Sequence, residues 1–253
     1  MARSAGTSEV GQIARVSSGI KGLDDMLYGG FPEGTQNLLM GDSGSGKTLL
    51  AFQIIYNNAR IGIPCTFITL DQTRQDLLKN VAAAFPLLRD VNTLVQKGVI
   101  NIYEKEIDAE IRDRSIITVL INEIINETKA NDSKLLAIDS LSLFRALIEN
   151  DRAFTRMINF IAEKLHDVGT TSVITIEAPP NDVPKVPGLF EESMFDGILR
   201  LRNVPRGDMI AHVGSIIKLR YSKFKSSQYN VEITPAGIVM GRDQPDTERR
   251  ISL

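Results

Sequence analysis

Short apolar runs alternate with longer amphipathic stretches between residues 36 and 177. The apolar runs, which are rich in β-branched residues, predict strands at 36–40, 65–70, 99–103, 135–139 and 172–177. The amphipathic stretches predict helices at 47–59, 74–84, 109–130 and 152–167. Most of these strands are nearly all apolar, which is typical of strands covered on both faces. The pattern therefore predicts an α/β fold with a mostly parallel sheet and helices on both faces.

The chain after residue 177 has a different pattern. Residues 178–193 carry four prolines and little periodicity, so we expect a mobile loop there. Strands are then predicted without intervening helices, at 197–204, 209–221, 229–234 and 237–240. This order predicts a C-terminal antiparallel β extension. We interpret residues 1–253 as a single domain, with a flexible N-terminal arm at 1–15 and a flexible tail at 242–253.

Composition narrows the class of protein only slightly. The formal net charge is −2, so no overall basicity indicates a nucleic-acid partner. The single cysteine, Cys65, cannot form an intramolecular disulfide, which fits a reducing cytoplasm. The N-terminal arm lacks the apolar segment of a signal peptide, and no run of about 18 apolar residues occurs. We therefore expect a cytoplasmic protein that does not enter a membrane.

A glycine-rich motif follows the first predicted strand. The sequence GDSGSGKT, from Gly41 to Thr48, fits G-x-x-x-x-G-K-[ST] and precedes an amphipathic helix. Such glycines let backbone N–H groups turn inward around phosphate oxygens, and the helix N-terminus adds partial positive charge there. The alternative is a glycine turn that ends in Lys-Thr by chance. The predicted nucleotide-binding residues are Gly41, Asp42, Ser43, Gly44, Ser45, Gly46, Lys47, Thr48 and Leu49.

The motif predicts ATP and Mg²⁺ as cofactors. Lys47 would bridge the β- and γ-phosphates, and the Thr48 hydroxyl would bind Mg²⁺. Asp139, which ends the apolar run in KLLAIDSLSLF, would hold the metal from a neighbouring strand. The alternative role for Asp139 is to cap the following turn. No N-K-x-D guanine-reading motif occurs, which favours ATP over GTP.

The sequence resembles the RecA superfamily and, within it, the branch of KaiC-like proteins and archaeal RadA paralogues. The resemblance runs from Val16 onward. The segments that carry it are RVSSGIKGLDDMLYGGFPEG, FITLDQTRQDLLKN, FEESMFDGILRLRN and EITPAGIVM. It implies a RecA-like P-loop NTPase core in which ATP lies at the boundary between subunits of a ring or filament.

The resemblance also implies roles for three late residues. Lys218 and Arg220 match a Lys-x-Arg pair that reaches the γ-phosphate of a neighbouring subunit. Residues two apart on a strand point the same way, so both cations could face one phosphate. The alternative is a solvated edge strand protected by its cations. Glu177 matches the polar sensor position of the family, although an acid at a strand end can also simply cap a loop.

Asp71 and Gln72 depart from the family pattern. KaiC domains carry two adjacent glutamates here, which orient and deprotonate the attacking water. Asp71 keeps a carboxylate, but its reach is shorter by roughly 1.3 Å. A displacement of this size can lower the rate of a reaction that depends on exact positioning. Gln72 can position a water but cannot take its proton. We therefore predict tight ATP binding with slow turnover, with Asp71 as the candidate base.

Three functions remain in competition. The first is a slow Mg-ATPase that acts as a switch within a homo-oligomer, expected to be a hexameric ring, or within a hetero-complex with a related ATPase. The second is a recombination accessory protein like the RadA paralogues. Single-stranded DNA is the less favoured partner, because the two candidate loops after Asp139 and Glu177 offer few free cations and little aromatic surface. The third is a non-hydrolysing, ATP-loaded assembly or sensor protein.

Overall fold

The core of the molecule is one mixed β-sheet covered by helices. The computed structural model describes residues 13–105, 115–148, 150–178 and 195–242. The strands are β1 (Arg15–Val16), β2 (Phe31–Pro32), β3 (Gln36–Gly41), β4 (Cys65–Thr69), β5 (Ile100–Glu104), β6 (Leu135–Asp139), β7 (Thr171–Glu177), β8 (Gly197–Arg206), β9 (Met209–Leu219), β10 (Tyr229–Thr234) and β11 (Gly237–Arg242). The helices are α1 (Lys21–Met26), α2 (Lys47–Arg60), α3 (Arg74–Ala84), α4 (Val91–Gln96), α5 (Ser115–Ala130), α6 (Ser142–Leu147) and α7 (Asp151–His166).

The main sheet has a parallel part and an antiparallel part. Its strand order is β11-β10-β9-β8-β3-β7-β6-β4-β5, and β1 pairs with β2 separately. Strand β3 pairs in parallel with both β7 and β8. The pairs β7–β6, β6–β4 and β4–β5 are also parallel. The pairs β8–β9, β9–β10 and β10–β11 are antiparallel. The predicted fold class, with its C-terminal antiparallel extension, is thereby confirmed.

Two apolar clusters lie on opposite faces of the sheet. Because side chains alternate along a strand, the neighbours Leu38 and Leu39 of β3 belong to different clusters. Leu39 packs with residues of α2, α3 and α4, such as Phe52. Leu38 packs with residues of α5, α6 and α7, such as Ile121. The parallel strands are therefore covered on both faces, as their apolar sequences predict.

The boundaries of several elements differ from the predictions. Helix α5 begins at Ser115, and the predicted start at 109–114 lies outside the described residues, as does the predicted loop beyond residue 178. The short helices α1, α4 and α6 were not predicted, because six residues give too little periodicity. Arg15 lies in β1 and Arg242 pairs with Tyr229 in β11, so neither belongs to a flexible end as predicted. Residues 13 and 14 of the predicted N-terminal arm are described. The remaining residues of both predicted flexible segments lie outside the described parts of the chain.

The carboxyl ends of the parallel strands meet at one edge of the sheet. Gly41 lies opposite Glu177, and Thr69 lies opposite Asp139. This edge therefore gathers the glycine-rich motif and the strand-end acids. Within the described parts of the chain, none of the helices has the length and apolar character needed to cross a membrane.

Candidate functional site

The glycine-rich motif forms a loop that leads from β3 into α2. Gly44 has φ of 70° and Gly46 has φ of 91°, backbone conformations that favour glycine. Gly46 is the N-cap of α2, and no side chain caps the helix there. The first N–H groups of α2 therefore point toward the loop without a side-chain acceptor. This is the arrangement that binds phosphate at helix N-termini.

Lys47 folds back over this loop. Its Nζ donates to the carbonyl oxygens of Gly41 at 3.0 Å and Asp42 at 2.7 Å. Burial lowers the pKa of Lys47, against the opposing charges of surrounding acids, which are Glu177, Asp139, Asp42 and Asp71. The ammonium group is thus held at the carboxyl edge of the sheet. An incoming phosphate would compete with the surrounding carboxylates for it.

Asp139 lies buried at the end of β6, beside the start of α2. Its Oδ1 accepts hydrogen bonds from the Thr48 hydroxyl at 3.1 Å and from the Thr175 hydroxyl at 2.6 Å. Its Oδ2 is buried without a partner. Burial raises the pKa of Asp139, with the charge of Asp71 acting in the same direction and the threonine hydroxyls and Lys47 opposing. A buried carboxylate oxygen without a donor is costly, so a ligand for Oδ2 would stabilise the site.

The Thr48 hydroxyl and the Asp139 carboxylate fit a magnesium ion. Within the described parts of the chain, no group of three or more His, Cys, Asp or Glu side chains is placed to hold a metal. Magnesium differs from zinc in this respect, because it keeps several waters and binds one or two protein oxygens together with substrate phosphates. The oxygen-only pair beside a phosphate-binding loop matches that preference.

Asp71 and Gln72 follow β4 at the same edge. The Asp71 side chain is exposed, yet its surroundings remove part of its hydration, and this raises the pKa of its carboxyl group. A hydrogen bond to its own backbone and the charge of Lys47 act in the opposite direction. The Gln72 Oε1 accepts a hydrogen bond of 3.0 Å from Nδ2 of Asn80 on α3. The structure thus brings Asp71 close to Lys47 and Asp139, whereas the Gln72 amide is engaged by a helix.

Glu177 lies directly opposite Gly41, at the end of β7. Its backbone N–H donates to the Ser142 hydroxyl at 2.8 Å, and the next residue, Ala178, donates to the Gly41 carbonyl at 2.9 Å. The carboxylate itself is exposed and adds negative charge near Lys47. Glu177 therefore lies at the same edge as the glycine-rich motif from Gly41 to Thr48, the P-loop.

Lys218 and Arg220 lie at the opposite end of the strands, where β3 and β8 begin. Lys218 pairs with Ile198 near the start of β8, whose neighbour Gly197 pairs with Asn37 near the start of β3. Four strand residues, roughly 13 Å, separate Asn37 from the P-loop. Neither cation is therefore near the nucleotide-binding loop of its own chain.

Arg220 lies one residue beyond β9, which ends at Leu219 and not at residue 221 as predicted. Its backbone N–H donates to the Asp196 carbonyl at 2.7 Å, and its Nη1 lies 3.5 Å from Oδ1 of the buried Asp196. Burial lowers the pKa of Lys218, and the charge of Arg220 adds to this effect while Asp196 opposes it. The two cations are thus close enough for their charges to interact.

Three residues at these sites were missed by the sequence analysis. Thr175 supports Asp139, Asn203 contacts the P-loop, and Asp196 holds Arg220. A threonine inside the apolar run 172–177 was a weak indication for the first. The other two depend on contacts between distant segments.

The fold and this edge of the sheet define a class. A P-loop after β3 and an antiparallel extension are present, and Asp139 ends β6, which β7 separates from β3, so it is not on the directly neighbouring strand as predicted. Together these features make the chain a RecA-like P-loop protein. A family model described as "ATPase: KaiC" matches residues 16–244, and the chain belongs to this KaiC ATPase family. The resemblance to KaiC-like proteins of the RecA superfamily is thereby confirmed.

The relatives are similar in sequence over one part of their length. The circadian clock oscillator protein KaiC of Synechococcus elongatus is 31% identical over 238 residues, which cover 91% of this chain and 45% of that protein. The protein of the same name from Picosynechococcus sp. is 29% identical over 230 residues, 89% of this chain and 44% of that protein. The chain therefore spans less than half the length of these relatives.

A solved structure is similar over its whole length. The crystal structure of a KaiC-like protein from the hyperthermophilic archaeon Pyrococcus horikoshii OT3 matches with a TM-score of 0.77 and 30% identity. The match covers 90% of this chain and 99% of that one.

Proposed function

We propose that this chain binds ATP and Mg²⁺ at the P-loop, hydrolyses ATP slowly at the boundary between subunits of a homo-oligomer, and acts as a molecular switch. The observation that carries the proposal is the buried Asp139 carboxylate. Its Oδ1 accepts a hydrogen bond from the Thr48 hydroxyl, and its Oδ2 is buried without a hydrogen-bond partner. A metal bound with the nucleotide would give this oxygen its ligand.

Phosphate binding rests on Lys47 and the first turn of α2. The Lys47 ammonium already lies against the loop carbonyls, so a small movement would bring it to a β- or γ-phosphate. Thr48 and Asp139 would hold Mg²⁺, which neutralises charge on the phosphates during transfer. Family membership supports ATP as the nucleotide.

Slow turnover follows from the two residues after β4. Asp71 is the only carboxylate of that pair, and its raised pKa makes it a better proton acceptor than an ordinary Asp. Gln72 has no proton-accepting role, and its bond to Asn80 directs the amide toward α3. Water would thus be activated by one short carboxylate alone.

Lys218 and Arg220 would serve the nucleotide of a neighbouring subunit. Both lie at the end of the strands opposite to their own P-loop, so they are too far away to contact the nucleotide of their own chain. The buried Asp196 holds Arg220 in place from behind. Cations that stabilise the transferred phosphoryl group from a second subunit act as arginine fingers.

A non-hydrolysing, ATP-loaded assembly protein is the second candidate. The Gln72–Asn80 bond favours it, because the position of the second family glutamate carries an amide that is already occupied. Single-stranded DNA binding is less favoured, because Arg145 near Asp139 is paired with Asp151 and lies over the Phe154 ring.

The test combines mass in solution with steady-state ATP hydrolysis. We expect a larger species with Mg-ATP than without it, and a slow hydrolysis rate that depends on magnesium. An assembly that forms but does not hydrolyse would select the second candidate. A monomer under all conditions would refute the intersubunit site.

A further inference from the structure

An asparagine on β8, Asn203, contacts two residues of the P-loop. The Asn203 backbone N–H donates to Oδ2 of Asp42 at 2.7 Å. Its side-chain Nδ2 donates to the Ser43 carbonyl at 3.0 Å. The loop residues are about 160 positions earlier in the chain, so these contacts exist only because β8 pairs beside β3.

The bond to the Ser43 carbonyl fixes the direction of a neighbouring donor. A trans peptide unit is planar, and its C=O and N–H point in opposite directions. Holding the Ser43 oxygen toward Asn203 therefore turns the Gly44 N–H away from Asn203. Backbone N–H groups of the P-loop are the groups that receive phosphate oxygens.

His212 orients the Asn203 amide. It lies directly opposite Asn203 on β9, and its Nδ1 is 2.8 Å from the Asn203 Oδ1. The Ser43 carbonyl can only accept, so it must face the NH₂ of the amide, which leaves Oδ1 facing His212. His212 Nδ1 is then the donor. The amide is thus held at both ends, and rotation that would release Ser43 breaks two hydrogen bonds.

We propose that Asn203, oriented by His212, is a positioning residue for phosphate binding: it acts through the Ser43–Gly44 peptide and pre-forms the P-loop. This inference rests on the proposed nucleotide site. It gives the antiparallel extension a role in that site which neither the P-loop motif nor the strand-end acids supply. Preorganised donors bind more tightly because their ordering cost is met on folding.

The backbone of the hairpin does not depend on these side chains. Asn203 and His212 lie within the continuous register of β8 and β9, from Leu199 opposite Ile216 to Arg206 opposite Met209. Both side chains are only partly buried. Side-chain replacements at these positions should therefore leave the strands paired, and their effect on nucleotide binding can be measured on a folded protein.

The experiment titrates the full chain with a fluorescent ATP analogue in the presence of magnesium, and measures the melting midpoint without nucleotide. Asn203→Leu keeps the branched shape and the number of heavy atoms of the side chain and removes both polar atoms. We expect its dissociation constant to rise about two- to tenfold, the effect of one hydrogen bond, with little change in the melting midpoint. A purely structural residue would lower the midpoint and leave the affinity intact.

His212 supplies a matched pair of variants. His212→Leu removes the donor and should weaken binding in the same direction as Asn203→Leu. His212→Asn presents an NH₂ where Nδ1 lies, so we expect affinity close to that of the unmodified chain. Wild-type affinity in Asn203→Leu, or equal weakening in His212→Leu and His212→Asn, would overturn the inference. Should Asn203→Leu not fold, the His212 pair decides alone.

Lys47→Ala separates this inference from the proposed function. If the unmodified chain binds the analogue and Lys47→Ala does not, the P-loop is the nucleotide site, and the Asn203 and His212 variants test the positioning role alone. If Lys47→Ala binds as well as the unmodified chain, the nucleotide site itself is refuted.

Discussion

The carboxyl edge of the parallel strands differs sharply from the antiparallel extension. The former carries buried or half-buried polar groups that contact one another, among them Thr48, Asp139 and Thr175. The latter carries large apolar side chains exposed to solvent. In the described chain from residue 197 onward these are Met209, Ile210, Ile217, Tyr221, Ile233 and Val239.

This difference would suit a different kind of partner for each region. At the carboxyl edge, the unsatisfied Oδ2 of Asp139 and the Lys47 ammonium group would suit a small, charged ligand. Exposed apolar side chains on a sheet are typical of surfaces that contact another protein. The cations Lys218 and Arg220 belong to this second region, which agrees with a role in a neighbouring subunit's site.

The largest predicted effect comes from joining the two regions across subunits. If Lys218 and Arg220 act as proposed, the double variant Lys218→Ala/Arg220→Ala should lose about 10³-fold in kcat, the lower end of what an arginine finger contributes, while binding ATP normally. Mixed with equal Asp71→Asn, it should regain about a quarter of the wild-type rate, because random assembly pairs intact halves at that frequency. The measurement is steady-state hydrolysis.

The matched control is Lys223→Ala/Lys225→Ala, which removes two nearby cations that the proposed site does not use. It should hydrolyse ATP at the normal rate. No recovery in the mixture would refute action between subunits, provided that each variant assembles with Mg-ATP.

The second prediction concerns the acid and amide after β4. Asp71→Asn should lower kcat about 10²-fold with unchanged ATP affinity, because the only candidate base is lost. Gln72→Glu should raise kcat about tenfold, because it restores a second carboxylate. Asp76→Asn on α3, an exposed acid paired with Lys79, is the control. An unchanged rate in Asp71→Asn would exclude Asp71 as the base.

The third prediction isolates the metal. Asp139→Asn keeps an oxygen for the two threonine hydroxyls and replaces the charged carboxylate by an amide. Magnesium should then no longer strengthen ATP binding, an effect of about tenfold in the unmodified chain. Titration with and without magnesium measures it. A magnesium dependence equal to that of the unmodified chain would show that Asp139 is not at the metal.

The smallest predicted effect is on stability and pH. The pKa of Asp139 is raised in the folded chain above its ordinary value of 3.8, so the folded state binds more protons than the unfolded state between these two values. The contribution of this group to stability is therefore present below pH 3.8 and is lost as the pH rises through the folded pKa. Without nucleotide, Asp139→Asn should gain stability relative to the unmodified chain as the pH rises, measured by denaturant unfolding. A constant difference across the pH range would contradict this.

Local sequence was enough to predict the carboxyl edge, and this has a physical reason. The P-loop from Gly41 to Thr48 is contiguous, and an acid at the end of an apolar run, such as Asp139, must lie at a strand end. Parallel strands then bring such ends together. The class of fold followed from the alternation of strands and helices, and the resemblance to a family followed from four other short segments.

The contacts that the sequence could not supply all join distant segments. Asn203 reaches Ser43 across 160 positions, and Thr175 reaches Asp139 across 36, so each depends on which strands are neighbours and in what register. The end of β9 before Arg220 was also missed, because the following Tyr221 adopts φ of 59°, a conformation that apolar patterning does not reveal. Register and turn geometry are set by tertiary packing.

The position of the P-loop and of Lys218 at opposite ends of the strands has a consequence for stoichiometry. In the proposed assembly each chain offers one incomplete site and completes one other. An open row of n chains would then contain n − 1 complete sites, with an idle P-loop at one end and idle cations at the other. Only closure into a ring makes the number of complete sites equal to the number of chains.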